Sequence, residues 1–447
     1  RVEDLLRIAS RVQSVSSTTQ KNVQGDKMTE EKKIKVMTIS DHPLHPSGVG
    51  IQTRYFIQSL LDTGEFEVIS LAGAQHQPDH KPIKTDKYGD DWKIFPVHEF
   101  GSQEIVRSVL RTERPDVLWI MTDPRFYEWL WQIDDEVRSL VPIVYYHVWD
   151  NYPYPTFNKK FYESNDTIVT ISKVTSDIVK TVSPEVDEVY LPHTVDTEVF
   201  KTLPQEEIDK FKQTHFQKDD NRIIFFWNNR NARRKQSNSL VFWFKEFLDK
   251  VGHDKACLLM HTDPKDPHGP DLEAVIDELG VNEGQIMISP IKYPPERMAY
   301  LYNIADCTIN ISDAEGFGLS TLESLACATP IIVNMTGGLQ EQVTDGKEWF
   351  GIGIEPSSKA LIGSQQVPFI REDRISKEDF IDALTKMYKM SSTKRKKLGL
   401  AGQQHFTKNY DMKDFSKKWY DVITKVYKEK GSWNDRKGYK AWKLEEL

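Results

Sequence analysis

The chain has 447 residues, too many for one ordinary core, so two or three domains are expected. Its 59 Lys and Arg against 67 Asp and Glu give a formal net charge of −8, which implies no global attraction to nucleic acid or to an anionic membrane, although a local basic patch is compatible with it. Three cysteines, Cys257, Cys307 and Cys327, stand in apolar settings without metal spacing, which argues against a disulfide framework or zinc site and fits a reducing, cytoplasmic compartment; no apolar run approaches the roughly 20 residues that span a bilayer.

Residues 1–27 are Ser/Thr/Gln-rich after a short amphipathic piece, and we read them as a leader or extension expected to be poorly ordered. From Lys33 onward strand and helix patterns alternate. "KIKVMTIS" reads as a buried strand, "DHPLHPSGVG" as a Pro/Gly loop, and "IQTRYFIQSLLDTG" as an amphipathic helix ending at Gly64. "FEVISLA", "DVLWIM", "PIVYYHV" and "TIVTIS" are further runs of strand length, with helical stretches between them. A second series opens with "RIIFFWNN" and continues through "ACLLMHT", "QIMISP", "CTINIS" and "PIIVNM". This alternation predicts an α/β chain of two Rossmann-like parallel-sheet domains facing across a cleft. The expected boundaries are a first domain over 28–200, a second over 201–408, and a C-terminal helical segment, 409–447, packing back on the first. Ligands are expected at the carboxyl ends of the strands, between the domains.

Three motifs carry chemistry. In "CTINISDAEGFGLSTLESLACATP" a strand runs into a turn with Gly316 and Gly318 and then a helix. Glycines let a phosphate approach the backbone, and a helix N-terminus offers free N–H groups and a positive dipole end to a diphosphate. Glu315 and Glu323 cannot bind phosphate, but they can accept hydrogen bonds from the hydroxyls on either side of the diphosphate in a sugar nucleotide. The plainer alternatives are a capping box, with Ser320 as N-cap and Glu323 in the first turn reaching back, and a solvated loop acid at Glu315. In "WNNRNARRKQ", Arg230 and Lys235 follow a strand; paired cations there can clamp a diphosphate and stabilise charge as a bond breaks, while a solvated basic loop or nucleic-acid patch is the alternative. In "SGVG", Gly48 and Gly50 open a helix after the first strand, a poor match to a dinucleotide fingerprint and by itself only a turn.

Together these residues resemble the family 4 retaining glycosyltransferases of the GT-B fold, whose E-x7-E signature matches Glu315 and Glu323. The resemblance runs from about Lys33 to about Lys430 and includes "LPHTVDTEVF" as the interdomain segment and "GGLQEQVTDG". It implies that Glu323 holds the ribose hydroxyls and Glu315 touches the transferred sugar. It implies that the N–H groups of Phe317, Gly318 and Leu319, beside Gly316, cradle the diphosphate. Arg230 and Lys235 would stabilise the leaving nucleoside diphosphate, His147 would lie near the transferred sugar, and Gly48 and Gly50 would face the donor. The implied donor is a UDP- or GDP-sugar, no metal or cofactor is required, and configuration is retained through a front-face path. The departures are His193 and Thr194 in place of "NG", Ala328 within "CATP", and Asn228 and Asn229 before Arg230.

The acceptor is expected on the first domain, where "DPRFYEWLWQ" and "HVWDNYPYP" place Arg125, Trp149, Asp150 and Tyr152 near strand ends. Trp129 and Trp131 also read as partly buried helix residues, and the polar stretch 74–92 as an acceptor flap. His42, His45, His76 and His80 are not spaced for metal, and the loop with His261 and His268 reads as a turn. A saccharide or glycan is the expected acceptor. A lipid-linked acceptor is disfavoured because the helix at 51–63 carries only Arg54. A modified base in DNA would use the aromatic cleft and a local basic face, against the net charge. A GT-B epimerase or phosphorylase and a non-catalytic binding module are the remaining alternatives; the sequence does not give the oligomeric state.

Overall fold

The computed structural model describes residues 32–216 and 221–442; the expected leader at 1–27 lies outside them. The first sheet comprises β1 (Ile34–Asp41), β2 (Phe66–Gln75), β3 (Ile83–Lys84), β4 (Trp92–His98), β5 (Val117–Met121), β6 (Ile143–His147), β7 (Thr167–Thr170) and β8 (Asp187–Tyr190). The second comprises β9 (Ile223–Asn228), β10 (Ala256–His261), β11 (Ile286–Ser289), β12 (Cys307–Asn310), β13 (Ile331–Asn334) and β14 (Gly351–Ile354). Their orders are β3-β4-β2-β1-β5-β6-β7-β8 and β11-β10-β9-β12-β13-β14. Every pairing is parallel except β3 with β4. Helices cover both faces, so a strand such as β5, "VLWIM", is apolar and buried at every position.

In each sheet the strand order turns back beside the opening strand. β1 lies between β2 and β5, and β9 between β10 and β12. Loops leaving the carboxyl ends of such neighbours diverge and leave a crevice. The loops after β1 and β5 carry Gly48 and Arg125; those after β9 and β12 carry Lys235 and Glu315. The topology therefore brings these four residues to the strands' carboxyl ends.

The apolar runs do not announce β3, β4, β8, β14 or a third, separate pair of strands. β4 contains Pro96, which lies beyond the residues paired with β3 and so breaks no ladder on that side. β15 (Ser358–Ile362) and β16 (Ile370–Arg374) form an antiparallel hairpin outside both sheets.

The C-terminal helix Met412–Lys430 lies on the first domain. Trp419, fully buried, meets Phe56 edge-on at 4.8 Å, Tyr146 at 4.9 Å and Trp119 at 6.0 Å, and Ser416 hydrogen-bonds Ser59 at 2.9 Å. A buried tryptophan removes about 150–250 Å² from water, or about 4–6 kcal/mol at 25 cal/mol/Å² as an upper bound.

Candidate active site

The helix Leu319–Ala326 starts from Gly318, whose φ of +94° suits glycine. Ser320 is therefore inside the helix and not its N-cap, and Glu323 lies beyond the first turn. This corrects the capping-box alternative and the placement of Glu323 in the first turn. Glu323 instead accepts a hydrogen bond from Tyr302 Oη at 2.5 Å, and Tyr302 accepts one from Asn228 at 2.8 Å. Burial pushes the Glu323 carboxyl up to about 7, against the opposing Tyr302 hydrogen bond. Asn228, a departure from the family pattern, thus orients the tyrosine that orients Glu323.

Glu315 is not a solvated loop acid. It is paired with Lys235, both largely buried, and receives weaker contacts from Ser312 at 3.3 Å and Asn310 at 3.4 Å. Arg234 Nη1 donates to Ala314 O at 2.5 Å and lies 4.0 Å from Glu315. Burial favours the neutral acid, but Lys235 and Arg234 outweigh it and hold Glu315 down at about 2, an ionised carboxylate.

The loop between the two glutamates is built for close approach. Gln342 donates to Phe317 O at 2.7 Å and Gly318 O at 3.2 Å, and Thr321 donates to Gly318 O at 2.8 Å, which pins the carbonyls away from the helix start. Among the described residues none accepts from the backbone N–H of Gly316, Phe317, Gly318 or Leu319. Gly337 and Gly338 pack underneath. A Cβ on Gly337 would lie 1.8 Å from Glu315 O, and Gly338 N–H donates to that oxygen at 3.1 Å.

The first domain closes on this loop. A Cβ on Gly48 would meet Leu319 at 3.2 Å, and one on Gly316 would meet Val148 O at 3.1 Å and Asp150 at 3.9 Å. Gly50 instead serves its own turn, against the carbonyls of His42 and His45. Burial pushes Asp150 up to about 6, and Arg234 pulls it back. Arg125, paired with Asp123 at 2.6 Å, lines the same cavity as Trp149 and Asp150. Tyr152 does not line it and donates to Asp177 at 3.1 Å. Trp131 is buried and Trp129 half-buried, as helix residues.

Two further expected residues lie elsewhere. Arg230 is exposed and spends its guanidinium on Asp266 at 2.6 Å and His268 at 2.6 Å, while Arg234 takes the place beside Glu315. His147 is fully buried in the first domain, its Nε2 2.8 Å from Tyr162 Oη, and burial lowers it to about 3. A neutral core histidine, not a cleft residue, is what the structure holds. The departures at His193 and Thr194 have a packing reason: His193 bonds Tyr146 at 2.7 Å and sets its ring 5.2 Å from that of Phe317, and Thr194 donates to Tyr410 O at 2.6 Å. Sequence spacing also missed a group of possible metal-ligand atoms, in His76, His98 and Glu99, because the β2–β4 pairing sets Gln75 opposite His98. No helix among the described residues is long and apolar enough to cross a membrane.

Two parallel α/β domains with a glycine loop at their cleft give the chain a GT-B-like fold. Residues 207–405, within the second domain, match the family model described as "Glycosyl transferases group 1". Over 106 residues the chain is 37% identical to the D-inositol 3-phosphate glycosyltransferase of Acidothermus cellulolyticus, covering 23% of each chain. Over 135 residues it is 31% identical to that of Corynebacterium jeikeium, covering 29% of this chain and 32% of the relative. The chain thus spans about a quarter to a third of the length of these curated relatives. The whole fold is similar to sucrose-phosphate synthase from Thermosynechococcus elongatus, with a TM-score of 0.70 at 14% identity over 89% of this chain and 100% of that one. It is also similar to Anabaena HepE in complex with UDP and glucose, with a TM-score of 0.66 at 13% identity over 88% and 100%.

Proposed function

We propose that the protein is a retaining glycosyltransferase that moves a sugar from a nucleoside-diphosphate sugar, UDP- or GDP-linked, to a hydroxyl of a saccharide acceptor. The observation that carries this reading is the convergence of the buried Lys235–Glu315 pair, four backbone N–H groups without acceptors among the described residues, and Glu323 around one helix start. Glu323 accepts hydrogen bonds from the ribose. The N–H groups of residues 316–319 and the helix dipole hold the diphosphate. Lys235 and Arg234 stabilise the negative charge that builds on it as the anomeric bond breaks, which is the work a divalent cation would otherwise do. Glu315 neutralises Lys235 before the donor enters; with the diphosphate in place it turns to the sugar hydroxyls. Asp150, against Gly316, faces the incoming acceptor.

The test is nucleotide release from UDP- and GDP-sugars, with and without EDTA, by wild type and Lys235→Ala. Release should persist in EDTA and fall about 100- to 1,000-fold in the variant, the size of losing one preorganised donor. A strict divalent-metal requirement, or a folded Lys235→Ala variant with full activity, contradicts the reading.

A further inference from the structure

The hairpin β15–β16 is fixed at one end to the second domain and reaches the first with the other. Glu372, buried, is paired with Arg233 of the basic loop; Asp373 N–H donates to Asp313 O at 2.8 Å, and Thr336 and Asn334 donate to Asp373 at 2.8 and 2.7 Å. Toward the hairpin's turn, Val367 and Ile370 pack into the first domain's core, Phe369 meets Phe157 edge-on at 5.2 Å, and Asn151 donates to Arg371 O at 3.0 Å. A cavity of about 320 Å³ lies beneath this strap. Ile362, Val367 and Ile370 of the hairpin segment face Arg125, Trp149 and Asp150 of the first domain across it. Trp149 is 7% exposed, and its indole N–H has no acceptor among the described residues.

The chemistry of this lining is selective. A tryptophan, aliphatic side chains and two carboxylates suit a sugar ring, which offers both apolar C–H faces and hydroxyls. The volume is at the small end of ligand pockets and suits one sugar unit. Among the described residues Arg125 is the one cation lining it, and Asp123 already engages that cation through two hydrogen bonds of 2.8 and 2.6 Å. With Asp123 and Asp150 against Arg125, the wall carries a formal charge of 1 − 2 = −1. Arg234, which acts on Asp150, does not line the cavity, so among the described residues a phosphate there would face two carboxylates and only the Asp123-paired Arg125.

We propose that the hairpin-roofed cavity takes an uncharged sugar unit as acceptor, and that the hairpin, a part of the second domain, is the element that determines acceptor specificity. This rests on the glycosyltransferase reading of the same cleft. It sets the protein apart from the relatives named for inositol 3-phosphate and sucrose phosphate.

The test is calorimetric titration of glucose, galactose, mannose and their 6-phosphates into the enzyme, alone and saturated with UDP (or GDP, if UDP does not bind). At least one neutral sugar should bind, and its 6-phosphate should bind about tenfold more weakly or worse. Val367→Trp fills the cavity and should raise the sugar Kd about tenfold while leaving the UDP Kd within about twofold. Ser364→Trp, at an exposed lining position, is the second variant if Val367→Trp misfolds. Tighter binding of the 6-phosphates, no binding of any neutral sugar, unchanged sugar affinity in both variants, or preferential glucosylation of hydroxymethylated DNA overturns the proposal. Failure of every nucleotide to bind is a different outcome. It removes the donor reading, while the titrations without nucleotide still report the cavity's preference.

Discussion

Glu323 gives the most exacting pH prediction. In the donor-free protein, burial raises its carboxyl to about 7. Ribose hydroxyls donating to it favour the carboxylate, so donor binding returns it toward the ordinary range near 4.3. Between these values binding releases a proton, and affinity must rise with pH. The charged fraction of a group with a pKa of 7 is about 0.9 at pH 8 and about 0.03 at pH 5.5, so the Kd should be about 30-fold weaker at the lower pH. Stability runs the other way. A folded-state pKa raised above the unfolded value adds stability below pH 4.5 that is lost as pH rises through 7, by at most about 3 kcal/mol for 2.5 units before allowance for partial exposure. Isothermal titration of a nucleotide sugar, whose diphosphate diester does not titrate in this range, measures the first effect, and two buffers of different ionisation enthalpy count the proton. Asp150 and Asp313 are also raised to about 6, so Glu323→Gln is the necessary control. A flat profile in the wild type, or the same slope in Glu323→Gln, rules out Glu323 as the group that ionises on donor binding.

Gly337→Ala places a methyl 1.8 Å from Glu315 O at a φ of +47°, so the loop must move; a loss of about 2–4 kcal/mol in stability together with weaker donor binding is expected, by urea unfolding and titration. Arg234→Ala should lower kcat/KM by about 100-fold, near 2.7 kcal/mol, and Arg230→Ala by much less, because Arg234 stands by Glu315 while Arg230 is bound to Asp266. Equal losses in steady-state assays contradict that assignment. Trp419→Ala should cost about 3–5 kcal/mol by emptying the seam between the C-terminal helix and the first domain; a cost under about 1 kcal/mol in denaturant unfolding contradicts the packing argument.

The two-sheet architecture was legible because buried parallel strands are continuous apolar runs, and β1, β2, β5 and β6 announce themselves that way. β4 was not, because Pro96 interrupts the pattern and only the ladder shows that it can be tolerated there. The hairpin was not legible either: its strands are exposed or half-buried at every position but Glu372, and they are held by residues distant in sequence, such as Arg233 and Asn151. At the site, the glycines and both glutamates were readable from spacing. The three adjacent cations Arg233, Arg234 and Lys235 were not separable, because one turn of 3-10 helix sends them to Glu372, Ala314 and Glu315 in turn. His147 fits the family's spacing, yet its surroundings are set by Tyr145 and Tyr162, which no linear motif specifies.

The proposed nucleotide site is centred on Glu323 and the loop 316–319. Thermal unfolding of wild type and Glu323→Ala with UDP, GDP, ADP and their sugars, without added metal, tests it most directly. At about 100 times its Kd a ligand adds about 2.7 kcal/mol, a shift of a few degrees. One nucleotide should give that shift in the wild type and lose most of it in Glu323→Ala. No shift from any nucleotide, or an equal shift in the variant, contradicts it.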